Sequence, residues 1–174
     1  NASALREAIS DKVFDTEEFR AGVIYNTYNL FPSVYATVDI AVFRNNRNEL
    51  LLGRKPDENG WRLPGGFSDP TDKNFEAAAA RELQEECGPI ETGPLEYVAS
   101  VRMNDWRYRE EVNKIITTLF RTDLLRGEPA AGDDLAELRW VTVTDIPALT
   151  ARGEITDTHL PLLEKLVEKH ITQD

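Results

Sequence analysis

Arg81-Glu82-Leu83-Gln84-Glu85-Glu86 sets three carboxylates and a guanidinium within one short run. Carboxylates that close repel one another, so crowding them calls for a counter-charge. A hard divalent cation supplies one, because Mg²⁺ and Mn²⁺ take oxygen ligands. On a helical wheel of residues 75–87, Phe75, Ala78, Ala79 and Leu83 share one face. Glu82 and Glu86 fall in the middle of that apolar face, with Glu85 at its edge. Ala77, Ala80, Arg81 and Gln84 lie opposite. A Glu-rich helix is ordinarily a solvated surface carrying pairs such as Arg81–Glu85, but such a surface should point away from Phe75 and Leu83. Burying an unpaired carboxylate costs several kcal/mol or raises its pKa, which favours metal ligation by Glu82, Glu85 and Glu86. Arg81 is expected to pair with a carboxylate and orient it. Just upstream, Gly65 and Gly66 permit close backbone approach, and the Gly66 carbonyl can join the metal. Taken alone, LPGG is a plain tight turn.

These groups need a scaffold. Asp72 is a plausible N-cap for the helix, and Gly88-Pro89 stop it after Cys87. Residues 34–43 (VYATVDIAVF) alternate as a strand: Ala36, Val38, Ile40 and Val42 face one way, Tyr35, Thr37, Asp39 and Ala41 the other. RNNRN (44–48) reads as a turn and 49–56 as the returning strand of a hairpin. Further strands are expected at 95–103, 111–124 and 135–143. A short helical turn should span 146–149, and a last helix about 158–171, with Leu160, Leu163, Leu166 and Val167 as its buried stripe. Residues 3–21 look like a helical or loosely ordered lead-in, and 22–33 could form an early strand ending at Pro32. The fold class is therefore α/β, a mixed β-sheet sandwiched between α-helices. Residues 1–33 would be an N-terminal extension and 34–174 the main domain.

The totals exclude several functions. The chain has 174 residues and 41% apolar composition, enough for one domain with a proper core. Its formal net charge of −11 repels nucleic acids and anionic membranes. A small anionic substrate could still bind where a metal or an Arg cluster reverses the field. No apolar run approaches a membrane span, and the polar start NASALREAISDKVFD does not read as a signal peptide. That start lacks an initiator Met, which is compatible with a segment of a longer protein. The single Cys87 fits a reducing, cytoplasmic setting.

The stretch from Gly66 to Gly88 resembles the Nudix box: Gly, five residues, Glu, seven residues, then Arg-Glu-apolar-any-Glu-Glu-any-Gly-apolar. Arg81-Glu82-Leu83-Gln84-Glu85-Glu86-Cys87-Gly88 matches its second half at every fixed position. The hairpin, LPGG, helix and later strands resemble a Nudix domain over roughly residues 34–170. Two features depart. The loop between Gly66 and Arg81 is one residue longer, so Lys73 stands where the early Glu would be and Asp69 or Asp72 is left to substitute. Pro89 also closes the box where an apolar residue is usual. The resemblance implies Mg²⁺- or Mn²⁺-dependent hydrolysis of a nucleoside diphosphate linked to another group. Glu82, Glu85, Glu86 and Gly66 would hold the metals, with Arg81 among the catalytic set. A proton acceptor on a mobile loop could be Asp133, Asp134 or Glu137, although each also reads as part of a solvated turn.

The substrate side is less specific. Residues 101–111 (VRMNDWRYREE) gather Arg102, Arg107 and Arg109 with Trp106 and Tyr108. Arg can grip phosphate and an aromatic ring can stack on a base, yet a charged strand-end loop has the same composition. The segment loosely resembles the Arg-rich stretch of ADP-ribose pyrophosphatases. Arg54 is a further phosphate candidate, and Trp61 is either a stacking residue or core. His159 is expected to pack or cap the last helix, and His170 to suit its C-terminal dipole. Three functions follow: an ADP-ribose or nucleotide-sugar pyrophosphohydrolase; a housecleaning nucleoside-triphosphate pyrophosphohydrolase; or a non-catalytic nucleotide-sensing regulator, weakened by the acidic charge and the complete set of box Glu residues. A homodimer is the family habit.

Overall fold

A computed structural model describes residues 16–171, with side chains as far as Glu168. The expectations for residues 3–15 and for His170 lie outside the described residues. Two compact units part between Ser33 and Val34. In the first, α1 runs from Glu17 to Asn29. Thr16 caps it by accepting the Phe19 N–H at 3.1 Å. The strand expected within 22–33 is therefore corrected to helix. Its β-branched and aromatic residues suggested a strand, but a helix satisfies its own backbone without a partner. Thr27 and Asn29 also bond back to the carbonyls of Val23 and Tyr25.

The second unit is built on β1 (Val34–Arg44), β2 (Glu49–Arg54), β3 (Gly65–Phe67), β4 (Glu91–Thr92), β5 (Glu96–Met103), β6 (Lys114–Arg126) and β7 (Glu137–Thr142). The strand order is β4-β6-β1-β2-β7, with β3 on β1 and β5 on β6. The sheet is mixed. Strand β1 runs parallel to β6, from Val34 opposite Lys114 to Phe43 opposite Asp123. The other pairings are antiparallel.

Helices α2 (Phe75–Cys87), α3 (Ile146–Ala151) and α4 (Leu160–Ile171) complete the unit. Val38, Ile40 and Val42 point to one face of β1 and pack with Ala78, Ala79, Leu83 and Cys87 of α2. Ala41 and Phe43 point to the other, where Trp61, Leu149, Leu162, Leu163 and Leu166 gather. The alternation expected along β1 therefore feeds two cores rather than a core and a solvated face. In α4 the stripe is corrected: Leu162, Leu163 and Leu166 are buried, while Leu160 and Val167 are partly covered. A turn of 3-10 helix at Asp157–His159 precedes α4. Trp61 belongs to the core. Among the described residues no helix is long and apolar enough to cross a membrane.

Candidate active site

Helix α2 begins later than its acidic residues suggest. Asn74, not Asp72, is the N-cap, and its side chain accepts the Ala77 N–H at 2.8 Å. Asp72 accepts instead from Arg81, at 3.2 and 3.0 Å. Phe75, expected on the apolar face, is 43% exposed because it stands in the first turn, beyond the sheet. Two and three turns along, Glu82 and Glu86 are 8% and 4% exposed. Glu85 points outward.

The turn before the helix brings backbone against these carboxylates. Gly65 pairs with Asp39 and Gly66 with Val38 across β1. Gly65 has φ +147°, and a Cβ there would lie 2.1 Å from the Val38 carbonyl oxygen, so only glycine fits. Its N–H donates to Glu86 Oε2 at 2.7 Å. A Cβ on Gly66 would stand 2.7 Å from a Glu82 carboxylate oxygen. At the other end of α2, the Gly132 and Ala130 N–H groups donate to the Glu86 and Cys87 carbonyls, at 3.1 and 3.0 Å. That loop thereby satisfies carbonyls orphaned by the helix end and brings Asp133 and Asp134 to the same cleft.

The cleft encloses about 270 Å³. Six carboxylates line it, those of Asp39, Glu82, Glu86, Asp105, Asp133 and Asp134, against three cations, Lys55, Arg62 and Arg107. All three cations are already paired: Lys55 with Asp134 at 2.6 Å, Arg107 with Asp105 at 2.8 Å, and Arg62 with Glu58. Burial pushes the Glu86 carboxyl up to about 7, against the opposing Gly65 N–H. Burial also raises Glu82, with Arg81 opposing. Asp39 is pushed up to about 7 by burial, partly offset by its Thr117 hydrogen bond. His159 is buried and pushed down to about 3, by burial first and then by the Arg62 and Lys55 charges. It is therefore neutral at pH 7, and its 3.7 Å approach to Asp39 is not an ion pair.

An excess of buried oxygen donors beside a backbone cradle suits a hard divalent cation. Among the described residues no three ligating side chains converge closely enough to enclose an ion. The protein offers part of a shell, which water and phosphate oxygens would complete, as Mg²⁺ usually requires. Arg81 holds the arrangement from outside. It donates to Glu82 at 2.8 Å, Glu85 at 2.9 Å, Asp72 and the Phe67 carbonyl.

The cleft thus collects Gly66, Glu82, Glu86, Arg107, Asp133 and Asp134 from the residues singled out in the sequence. It does not collect the others. Arg54 and Glu137 form an ion pair with each other. Trp106 is 77% exposed, and Arg109 is exposed and bonds to Asn104. Sequence reasoning missed Asp39, Arg62 and His159 as cleft residues. A polar Asp inside an otherwise apolar strand was the one signal available.

The pattern that defines the NUDIX domain matches residues 35–165. The ADP-ribose pyrophosphatase of Methanocaldococcus jannaschii is 32% identical over 125 residues, covering 70% of this chain and 70% of that protein. The ADPR responsive transcriptional repressor NtrR of Acinetobacter baylyi is 42% identical over 77 residues, or 41% of this chain. That match spans only 30% of the repressor's length. Among solved structures, the NUDIX domain of Shewanella oneidensis NrtR complexed with ADP ribose has a TM-score of 0.63 at 20% identity, covering 84% of this chain and 97% of that one. The MutT protein of Methanosarcina mazei Go1 gives 0.64 at 20% identity, covering 82% and 99%. At that identity the likeness is one of fold. With the domain pattern over most of its length, the chain belongs to the Nudix hydrolase family.

Proposed function

We propose that this Nudix hydrolase cleaves the pyrophosphate bond of a nucleoside diphosphate linked to a second group, with ADP-ribose or a similar nucleotide sugar as substrate. The observation that carries the reading is the burial of Glu82 and Glu86 against the Gly65-Gly66 backbone, in a cleft with more acids than bases. A polyanion enters such a cleft only with cations. When bound, Mg²⁺ or Mn²⁺ supplies charge neutralisation at the phosphates and acidifies a water. Glu82, Glu86, Glu85 and the Gly66 carbonyl would hold it, and Arg81 orients two of those carboxylates. Water adds to one phosphorus, the bridging P–O bond breaks, and two phosphate monoesters leave. The water proton passes to a cleft carboxylate. Asp133 and Asp134, which line the cleft, are the candidates for that task, whereas Glu137 lies outside it, turned to Arg54. The lone buried thiol of Cys87 suits a reducing cytoplasm.

ADP-ribose is favoured because the names of both sequence relatives refer to it. The likeness to NtrR supports a second reading, a domain that binds the nucleotide and regulates a partner without turning it over. A nucleoside-triphosphate pyrophosphohydrolase is the third. A panel of nucleoside diphosphate derivatives and triphosphates with Mg²⁺ and Mn²⁺ separates them by products. Release of AMP from ADP-ribose supports the leading reading, release of pyrophosphate from triphosphates the third, and tight binding without turnover the regulator. Glu85→Gln should lower turnover by about a hundredfold or more while the fold persists. Near wild-type activity in that variant would remove Glu85 from the metal set.

A further inference from the structure

The cleft wall opposite α2 holds a donor and an acceptor that the carboxylate helix does not use. Asp39 is 6% exposed. Its Oδ2 accepts the Thr117 hydroxyl at 2.5 Å across the parallel β1–β6 pair. Its Oδ1 has no donor among the described residues. The nearest candidate, His159 Nδ1 at 3.7 Å, already accepts the Leu63 N–H at 3.3 Å, so it presents a lone pair and cannot donate. Arg62 lines the same cleft. Glu58 takes its Nη2, and its Nε, unpartnered, is closed off from any ligand by burial. Nη1 likewise meets no acceptor among the described residues. No ion pair joins Asp39 to Arg62, although Arg62 is close enough to favour the ionised carboxyl. Each is anchored elsewhere, with space between.

Chemistry narrows what can fill that space. A phosphate only accepts, and would meet the Asp39 carboxyl unfavourably. An exocyclic amine mainly donates, and would meet the Arg62 guanidinium unfavourably. A hydroxyl does both, accepting from Arg62 while donating to Asp39. Two unsatisfied groups then become satisfied in one contact, and a ligand lacking the hydroxyl leaves both unpaired. We propose that Asp39 and Arg62 together recognise a sugar hydroxyl of the bound nucleotide and so set specificity at the wall facing the metal-binding carboxylates. This inference rests on the nucleotide-sugar reading above and deepens it.

Sugar hydroxyls could come from the terminal group or from the nucleoside, and three probes separate the sources. They are ADP-ribose, ADP methyl ester, which lacks the terminal sugar, and ADP-ribose with a 2′,3′-dideoxy nucleoside. Turnover and calorimetric affinity would be measured for the wild type and for Asp39→Asn. The variant should lose about tenfold to a hundredfold on ADP-ribose. Its loss should be at least about tenfold smaller on whichever probe lacks the recognised hydroxyl, which also names the source. Equal losses on all three probes would overturn the inference and leave Asp39 a packing residue. If Asp39→Asn does not fold, Arg62→Gln, at a less buried position, makes the same comparison. Binding without turnover would sink the hydrolase reading alone, since affinity ratios still decide this one. Absence of both binding and turnover would sink both.

Discussion

At Gly66 a single added methyl group would press against the Glu82 carboxylate, and at Gly65 it would press against the Val38 carbonyl. The two collisions differ in what can yield. The end of a Glu side chain can swing away, whereas a strand carbonyl cannot. Gly66→Ala should therefore melt close to the wild type but lose at least about tenfold in Mn²⁺ affinity, because Glu82 is displaced. Gly65→Ala should cost more than about 2 kcal/mol, with its φ of +147° adding backbone strain. Thermal melts with manganese titration check both, and a Gly66→Ala protein with intact metal affinity would remove Glu82 from the ligand set. The inward aim of Glu82 and Glu86 was legible from helical spacing alone, since local geometry fixes it. The fates of Arg54 and Glu137 were not. They meet because β2 and β7 pair in a register that sets Arg54 opposite Glu137, and residues so far apart in sequence do not announce their register.

At the scale of the element, α2 is the piece whose phase matters most. Its start at Asn74 decides which residues turn inward, and Asp72, released from capping, becomes an anchor for Arg81. Asn74→Ala should lower stability by about 1 kcal/mol in urea denaturation. An unchanged midpoint would show that the Ala77 N–H finds water equally well. The helices, the hairpin and the long strands were visible in periodicity and turn residues. The α1 segment misled because β-branched and aromatic residues suit strands only where a partner strand exists. Asp39, Arg62 and His159 come from three separate elements and turns, and only the tertiary fold unites them around one cleft.

At the scale of the whole molecule, the cleft's charge imbalance becomes a stability statement. Asp39 and Glu86 rise from ordinary values of 3.8 and 4.5 to about 7 when folded. The folded state then holds protons that the unfolded chain has lost. Their contribution is fully present below about 4 and is lost as pH rises through 7. His159 falls from 6.5 to about 3 and works in the opposite sense, its contribution being lost as pH falls through that window. Above about pH 6.5 the carboxyls stand alone, so the metal-free melting temperature should fall toward about pH 8. Mg²⁺ or Mn²⁺ should restore it there and do little near about pH 5, where protons already neutralise the site. A metal-free melting temperature that climbs from about pH 6.5 to 8 would contradict this balance.

The parallel β1–β6 pairing joins residues numbered about 80 apart, and the Asp39–Thr117 bond lies across it. A growing chain that has made the glycine pair and the carboxylate helix still lacks this wall. Closing so long a loop is entropically slow, so a nascent chain halted before Lys114 carries the metal-binding residues but no pocket. Ligand can rescue only chains synthesised past β6, which makes nucleotide affinity a late marker of completed folding.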